Sequence, residues 1–180
     1  MEGKMVETVE IPAGVQAELA GNDVKVTASG KANSRHFRST GIAMKKDGEK
    51  IEIWALSERR NVLAEAKSVA THIRNMFSGL SKPYEYKLEI VYSHFPMNIK
   101  VMDKVVEIYN LGGAKHPRKA KIVGDSKVTV KGKDISVTGQ SKEAVGQTAA
   151  NMEQATKIKG KDIRVFQDGI YITAKPQREM

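Results

Sequence analysis

Shifting the sequence by 84 positions superposes its two halves with few gaps. Pro12 falls on Pro96, Val15 on Ile99, Val24 on Ile108, Arg35 on Lys119, Ile51 on Ile135, Ile53 on Val137, Ser57 on Ser141 and Ala66 on Ala150. Identity is low, but the order of elements agrees. Each half reads as a Pro-led extended segment, β-type runs, a basic loop, a hairpin and a helix opened by Ser. A fixed internal period marks duplicated structural units, and the cues here describe a small α+β domain rather than a solenoid repeat. A chain of 180 residues suits two such units of roughly 80–90 residues, each with a modest core. Lys82–Pro83 is the expected boundary, giving domains 1–82 and 83–180.

In the first half, Ile11–Pro12 and Val24–Thr27 read as strands, Lys31–Arg38 as a basic loop, and Lys46–Glu49 as a turn before the strand Ile51–Ala55. Ser57 is the expected N-cap of a helix, with Glu58 beside its positive end. Val62, Ala66, Val69, Ile73 and Met76, joined by Leu63, Ala70 and Phe77, form an apolar stripe that reads as core. Gly79 is the expected helix stop. Tyr84–Tyr92 alternates as a half-buried strand. In the second half Val105–Tyr109 is a strand, Gly112–Lys119 a Gly-rich basic loop, and Val128–Val130 with Ile135–Val137 a hairpin around Lys131–Asp134. Ser141 opens a helix whose Val145, Ala149, Met152 and Ala155 face inward, and Gly146 inside it points to close packing. The end of the chain, Gln154–Lys175, reads as a lysine ladder running into a tight hairpin. In it the β-type runs Ile163–Phe166 and Ile170–Thr173 flank Gln167-Asp168-Gly169, and Asp-Gly is a hairpin signal because Gly takes the positive φ such turns need.

The formal net charge of +9 matters less than its placement. Segment Lys115–Lys133 carries seven Lys/Arg against one Asp, and Lys157–Arg178 six against two. These segments contribute +6 and +4, so the rest of the chain sums to −1. Such concentration is the footprint of a polyanion-binding surface, which solubility alone does not require. Around 112–121 the glycines would let backbone N–H groups approach phosphates while Lys115, Arg118, Lys119 and Lys121 neutralise them. Aromatics for stacking are sparse: His116, Tyr171 and Phe166. That pattern favours phosphate and shape recognition of folded RNA over reading of single-stranded bases.

Other chemistries find little support. The chain has no cysteine, and its four histidines show no metal-ligand spacing. No Walker loop or nucleophile elbow occurs, and Gly112–Gly113 falls short of a dinucleotide fingerprint. The Asp and Glu residues interleave with Lys, as on solvated faces. No apolar run approaches the ~20 residues of a membrane span, Met1-Glu-Gly-Lys4 does not read as a signal peptide, and the cytoplasm is the expected compartment. No cofactor, metal or small-molecule substrate is expected.

The run Gln154…Ile158…Lys161…Arg164-Val-Phe-Gln-Asp-Gly-Ile-Tyr-Ile172…Lys175 resembles the C-terminal signature of the sixth large-subunit ribosomal protein family, in its archaeal and eukaryotic form. Tyr92-Ser-His-Phe-Pro96, Lys115-His-Pro-Arg118 and Val145-Gly-Gln-Thr-Ala-Ala-Asn151 are similar to that family too, and the resemblance covers nearly the whole chain. The absence of a long basic N-terminal extension looks archaeal. Gly112-Gly-Ala114 departs from the Gly-Glu-Lys-like sequence expected there. The resemblance implies an α+β fold of two tandem duplicated domains, each an antiparallel sheet backed by a helix, and no enzymatic activity. It also implies a structural role in the large ribosomal subunit, on rRNA near the sarcin–ricin loop and the stalk base, where translation GTPases dock. The second domain would be the main rRNA-binding domain, with neighbouring large-subunit proteins as further partners. The expected RNA-binding residues are Lys115, His116, Arg118, Lys119, Lys121, Lys157, Lys159, Lys161, Arg164, Tyr171, Lys175 and Arg178, while Asp168 and Gly169 would shape the hairpin. Two alternatives remain open on the sequence: an RNA chaperone acting off the ribosome, and an enzyme acting on a phosphorylated ligand.

Overall fold

In a computed structural model, which describes residues 3–28, 30–93, 95–162 and 164–176, the chain divides into two compact units, Met1–Lys82 and Pro83–Met180. His94, Ile163 and Arg178, named above, lie outside the described residues.

The first unit runs β1 (Lys4–Glu10), β2 (Gln16–Ala20), β3 (Asp23–Ala28), β4 (Lys31–His36), β5 (Ile42–Asp47), β6 (Lys50–Ala55) and α1 (Arg60–Ser81). Its strands form two antiparallel three-stranded sheets, β1-β6-β5 and β2-β3-β4. The sheets and α1 enclose one core built around Val24, Val26, Ile51, Ile53, Ala66 and Ile73.

The second unit repeats the plan as β7 (Tyr84–Val91), β8 (Asn98–Val101), β9 (Val105–Tyr109), β10 (Arg118–Lys121), β11 (Lys127–Lys131), β12 (Asp134–Gly139) and α2 (Lys142–Thr156), then adds β13 (Gly169–Ala174). Its sheets are β8-β9-β10 and β11-β12-β7-β13, again antiparallel. Leu88, Ile108, Ile135, Val145, Ala149, Met152 and Ile170 make the second core.

The duplication is therefore structural, and the strand register refines it. Strands β6 and β12 stand 84 residues apart end to end. In the small sheets, however, Val24 faces Arg35 and Ile108 faces Arg118. Arg35 thus corresponds to Arg118 and not to Lys119. The helices are offset by 83 as well: buried Ala66, Val69 and Ile73 of α1 answer Ala149, Met152 and Thr156 of α2. Ala66 corresponds to Ala149, and Ala150 is only half-buried.

Further expectations change. Ile11–Pro12 is not a strand but the link that follows β1. Lys31–His36 is strand β4, not a loop; it is polar on both faces, with Arg35 reaching His72 of α1 at 3.1 Å, so apolar alternation is lost. The first helix starts at Arg60 with Arg59 at the N-cap and no side-chain cap, the Ser57 hydroxyl accepting only from Arg59 N at 3.4 Å. It runs past buried Gly79 to Ser81, where Pro83 forces Lys82 into an extended conformation. Ser141 does cap α2, accepting from Ala144 N at 3.3 Å. Within α2, a Cβ built on Gly146 would stand 3.1 Å from the Tyr86 hydroxyl, so this glycine marks the close packing its position suggests.

Ser141→Ala is expected to destabilise α2 by about 1 kcal/mol, and Ser57→Ala to change α1 by less than about 0.5 kcal/mol. Native-state amide exchange, read separately in each helix, measures both.

Candidate nucleic-acid interface

Strand β10 splits the predicted basic loop in two. Leu111–Gly113 forms a 3₁₀ turn with φ near +60° at Asn110 and Gly112, and Arg118, Lys119 and Lys121 then lie on a strand. The expected backbone cradle for phosphate does not form at residues 113 and 114. Their N–H groups already donate to Asn110 O at 3.4 Å and Leu111 O at 3.2 Å. Lys115 and His116 follow, both exposed.

Because side chains alternate along a strand, Arg118 and Lys119 point to opposite faces. Arg118 turns toward α2, and its Nη1 donates to Ala155 O at 2.9 Å and Lys157 O at 3.0 Å. These are carbonyls that a helix end leaves without partners. Arg118 therefore caps α2 and fixes the start of the lysine ladder beside it. Lys119 turns outward and pairs with Glu107 at 3.2 Å. The Tyr109 hydroxyl donates to the same carboxylate at 2.6 Å. Lys100 is opposite Glu107 in the register, its Nζ 5.3 Å from the centre of the Tyr109 ring. The Tyr109 hydrogen bond first, and Lys119 second, hold the Glu107 carboxyl below its ordinary value of 4.5. The same bond raises the Tyr109 phenol above 10.0. The sequence reading missed Lys100, Glu107 and Tyr109, which converge only through cross-strand register.

Among the described residues the expected C-terminal hairpin does not form. Asp162 O accepts from the N–H groups of Val165 at 3.2 Å and Phe166 at 2.9 Å, and Asp162 Oδ1 accepts from Arg164 N at 2.9 Å. The described part of the first expected run is thus a turn organised by an Asx motif. Asp168 is buried, with 2% exposure. Its Oδ1 accepts from Ser93 N at 2.8 Å and Ser93 Oγ at 3.2 Å. Gly169 is not at positive φ; it begins β13, which pairs with β7 far upstream in sequence. Long-range pairing outcompetes the local turn because it buries Ile170 and places the Asp168 carboxylate on two donors.

The ladder survives as exposed, irregular chain: Lys157, Lys159 and Lys161 all face solvent, with Gly160 at φ 75°. Lys161 Nζ lies 4.4 Å from the centre of the Phe166 ring. Arg164 and Lys175 are exposed as well, and Tyr171, at 45% exposure, donates its hydroxyl to Gln167 O at 3.1 Å. Between the end of α2 and this segment lies a cleft of about 350 Å³ that includes Thr156, Phe166, Asp168 and Tyr171 in its lining. The structure so brings Arg118 together with the Lys157 backbone, and sends Lys119 and Lys121 to another face. Among the described residues no cluster of His, Asp or Glu could hold a metal ion, and no helix is long and apolar enough to cross a membrane.

The family model described as ribosomal protein L6 matches residues 95–169. A protein of Methanosphaera stadtmanae named large ribosomal subunit protein uL6 is 44% identical over 177 residues, covering 98% of this chain and 96% of the relative. One of the same name from Sulfurisphaera tokodaii is 45% identical over 172 residues, covering 95% and 92%.

The chain belongs to the L6 family of ribosomal proteins.

Membership makes it an archaeal-type, non-enzymatic protein with the two-unit α+β fold of that family. The matched segment takes in the predicted residues from Lys115 through Arg164 but stops short of Tyr171 and Lys175.

Two variants test this geometry. A folded-state carboxyl held low contributes stability that is present above its unfolded value, about 4.5, and is lost as pH falls through the lower folded value. Glu107→Gln is therefore expected to flatten the loss of stability between pH 5 and more acidic conditions in thermal melts across pH. Gly169→Ala is expected to be tolerated, since the backbone there is unstrained and the new Cβ would stand 3.4 Å from the Tyr171 ring; thermal melting against the unsubstituted chain measures it.

Proposed function

We propose that this protein is a structural constituent of the large ribosomal subunit, and that its second unit binds large-subunit rRNA near the sarcin–ricin loop and the stalk base. Translation GTPases would then work nearby, neighbouring large-subunit proteins would be partners, and the ribosome in the cytoplasm would be the location. What carries the reading is the set of solvent-facing cations on one unit: Lys115, Lys121, Lys157, Lys159, Lys161, Arg164 and Lys175. Similarity over nearly the full length to archaeal proteins named for the large subunit supports the same reading.

Mobile, solvated ammonium groups release condensed counterions from RNA when they bind. Lys119 differs from the others, since Glu107 already balances its charge. Arg118 acts first as a helix cap, so its part in RNA binding is to hold the ladder in place.

The test is the salt dependence of binding to large-subunit rRNA fragments. Replacing Lys159 and Lys161 together by Ala is expected to flatten the slope of log K against log salt by about one to two units. Lys119→Ala should change it by less than about half a unit. Equal effects of the two changes would show that pairing with Glu107 does not withdraw Lys119 from the contacts. Persistence on large subunits through high-salt sedimentation separates a structural constituent from a chaperone, which would wash off.

A further inference from the structure

We propose that Phe95 is a stacking platform for one unpaired base of large-subunit rRNA, with Lys115 holding the phosphate of the same nucleotide. The inference rests on the RNA-binding reading above and deepens it from phosphate neutralisation to contact with a base.

The segment around Phe95 is pinned on both sides. Upstream, the backbone N–H and the hydroxyl of Ser93 donate to Asp168 Oδ1. Downstream, Pro96 O accepts from Asn110 Nδ2 at 3.0 Å, and Met97 is buried in the second core. Between these anchors Phe95 remains 45% exposed. A Cβ built on Gly113 would stand 3.5–3.6 Å from three carbons of the Phe95 ring. Nearly equal distances of that kind belong to a point above the ring plane, so one face of the ring is turned to the Gly113 turn and the other to solvent. Gly113 sits at φ 78°, where any larger residue would be strained. The turn that does not cradle phosphate therefore backs an aromatic ring instead.

The surroundings narrow the partner. Neither 93–98 nor 110–121 contains an aspartate or glutamate, whereas Lys115, His116, Arg118, Lys119 and Lys121 all fall in the second segment. Lys115 and His116 come just after Gly113 and are exposed. Asp168, which reaches this segment at Ser93, is buried. The other exposed apolar residues of the small sheet, Val101 and Met102, lie at the opposite end of β8. Phe95 is thus no part of a contiguous apolar patch of the kind that docks a protein. A lone flat ring beside exposed cations fits a nucleotide, its base on the ring and its phosphate on the lysine. Loops and bulges of folded RNA supply such bases, and every base has a π-face, so stacking selects an unpaired nucleotide and not a particular letter.

The experiment measures binding of the full chain to protein-free large-subunit rRNA across a salt series. Phe95→Leu keeps an apolar side chain and the same charge. It is expected to weaken binding about five- to hundredfold, with the slope of log K against log salt unchanged because no phosphate contact is lost. Lys115→Ala should instead flatten that slope by about one unit. Phe95→Trp should bind at least as tightly as the unsubstituted chain, and its added indole should lose fluorescence on binding. Trp54, the single tryptophan of the unsubstituted chain, gives the baseline. If Phe95→Leu unfolds in thermal melts, the indole quench decides alone. Full affinity in Phe95→Leu, or an indole left unquenched by bound rRNA, would overturn the proposal. So would a defect of Phe95→Leu seen only in whole large subunits, which would assign the ring to a neighbouring protein. Steeply salt-dependent binding whatever stands at position 95 removes the platform and leaves the rRNA reading intact; no salt-dependent binding by the unsubstituted chain removes both.

Discussion

The second unit is closed by a strand whose outer edge bonds to a helix. Ile170 N donates to Thr156 Oγ1 at 2.9 Å and Ile172 N to Glu153 Oε1 at 3.3 Å, so the last turn of α2 stands where another strand would. Thr156 is 2% exposed, and its hydroxyl hydrogen turns to the carbonyl of Met152 or Glu153. This arrangement blunts an edge that would otherwise invite strand pairing with another chain. It also fixes everything downstream. The position of β13 sets Asp168 against Ser93, and that staple with the Arg118 cap defines the path of the lysine ladder between them.

Charge in this protein is distributed less simply than its sequence total suggests. Arg118 and Lys119 are adjacent in sequence and opposed in space, one holding a helix end and one neutralised by a carboxylate. A count of cations treats them alike. Of the candidate cations, those that face solvent without a paired carboxylate are the ladder, Lys115, Lys121, Arg164 and Lys175, while Glu107 balances the charge of Lys119.

Much of the fold was legible because duplication repeats its own evidence. The helix stripe from Val62 to Phe77, the Lys131–Asp134 turn and the strand Val105–Tyr109 all appear where apolar spacing places them. What was lost had two physical causes. Strand β4 and the outer face of β10 carry polar residues on a thin sheet, and such strands leave no alternation to read. The Asp-Gly turn failed for a different reason: the local preference is worth little beside the burial of Ile170 and the two hydrogen bonds to Asp168, whose donor lies 75 residues away. Of the candidate site, residue type and exposure were visible in the sequence for Lys157, Lys159 and Lys161. The roles of Arg118, Lys119 and Asp168 depended on pairings that no linear spacing encodes.

The pairing of β13 with β7 also sets a timetable. Tyr84 leaves the translating ribosome about 85 residues ahead of Gly169, which at roughly 5–20 residues per second is a delay of some 4–17 seconds. Until β13 arrives, β7 displays one unpaired edge above Leu88 and Ile90. The first unit waits about half as long, because β6 begins 46 residues after β1 and α1 follows directly. The two copies of one plan therefore mature on different clocks. The second is the one that needs shielding for longer while it waits, from a chaperone or from the RNA on which it settles.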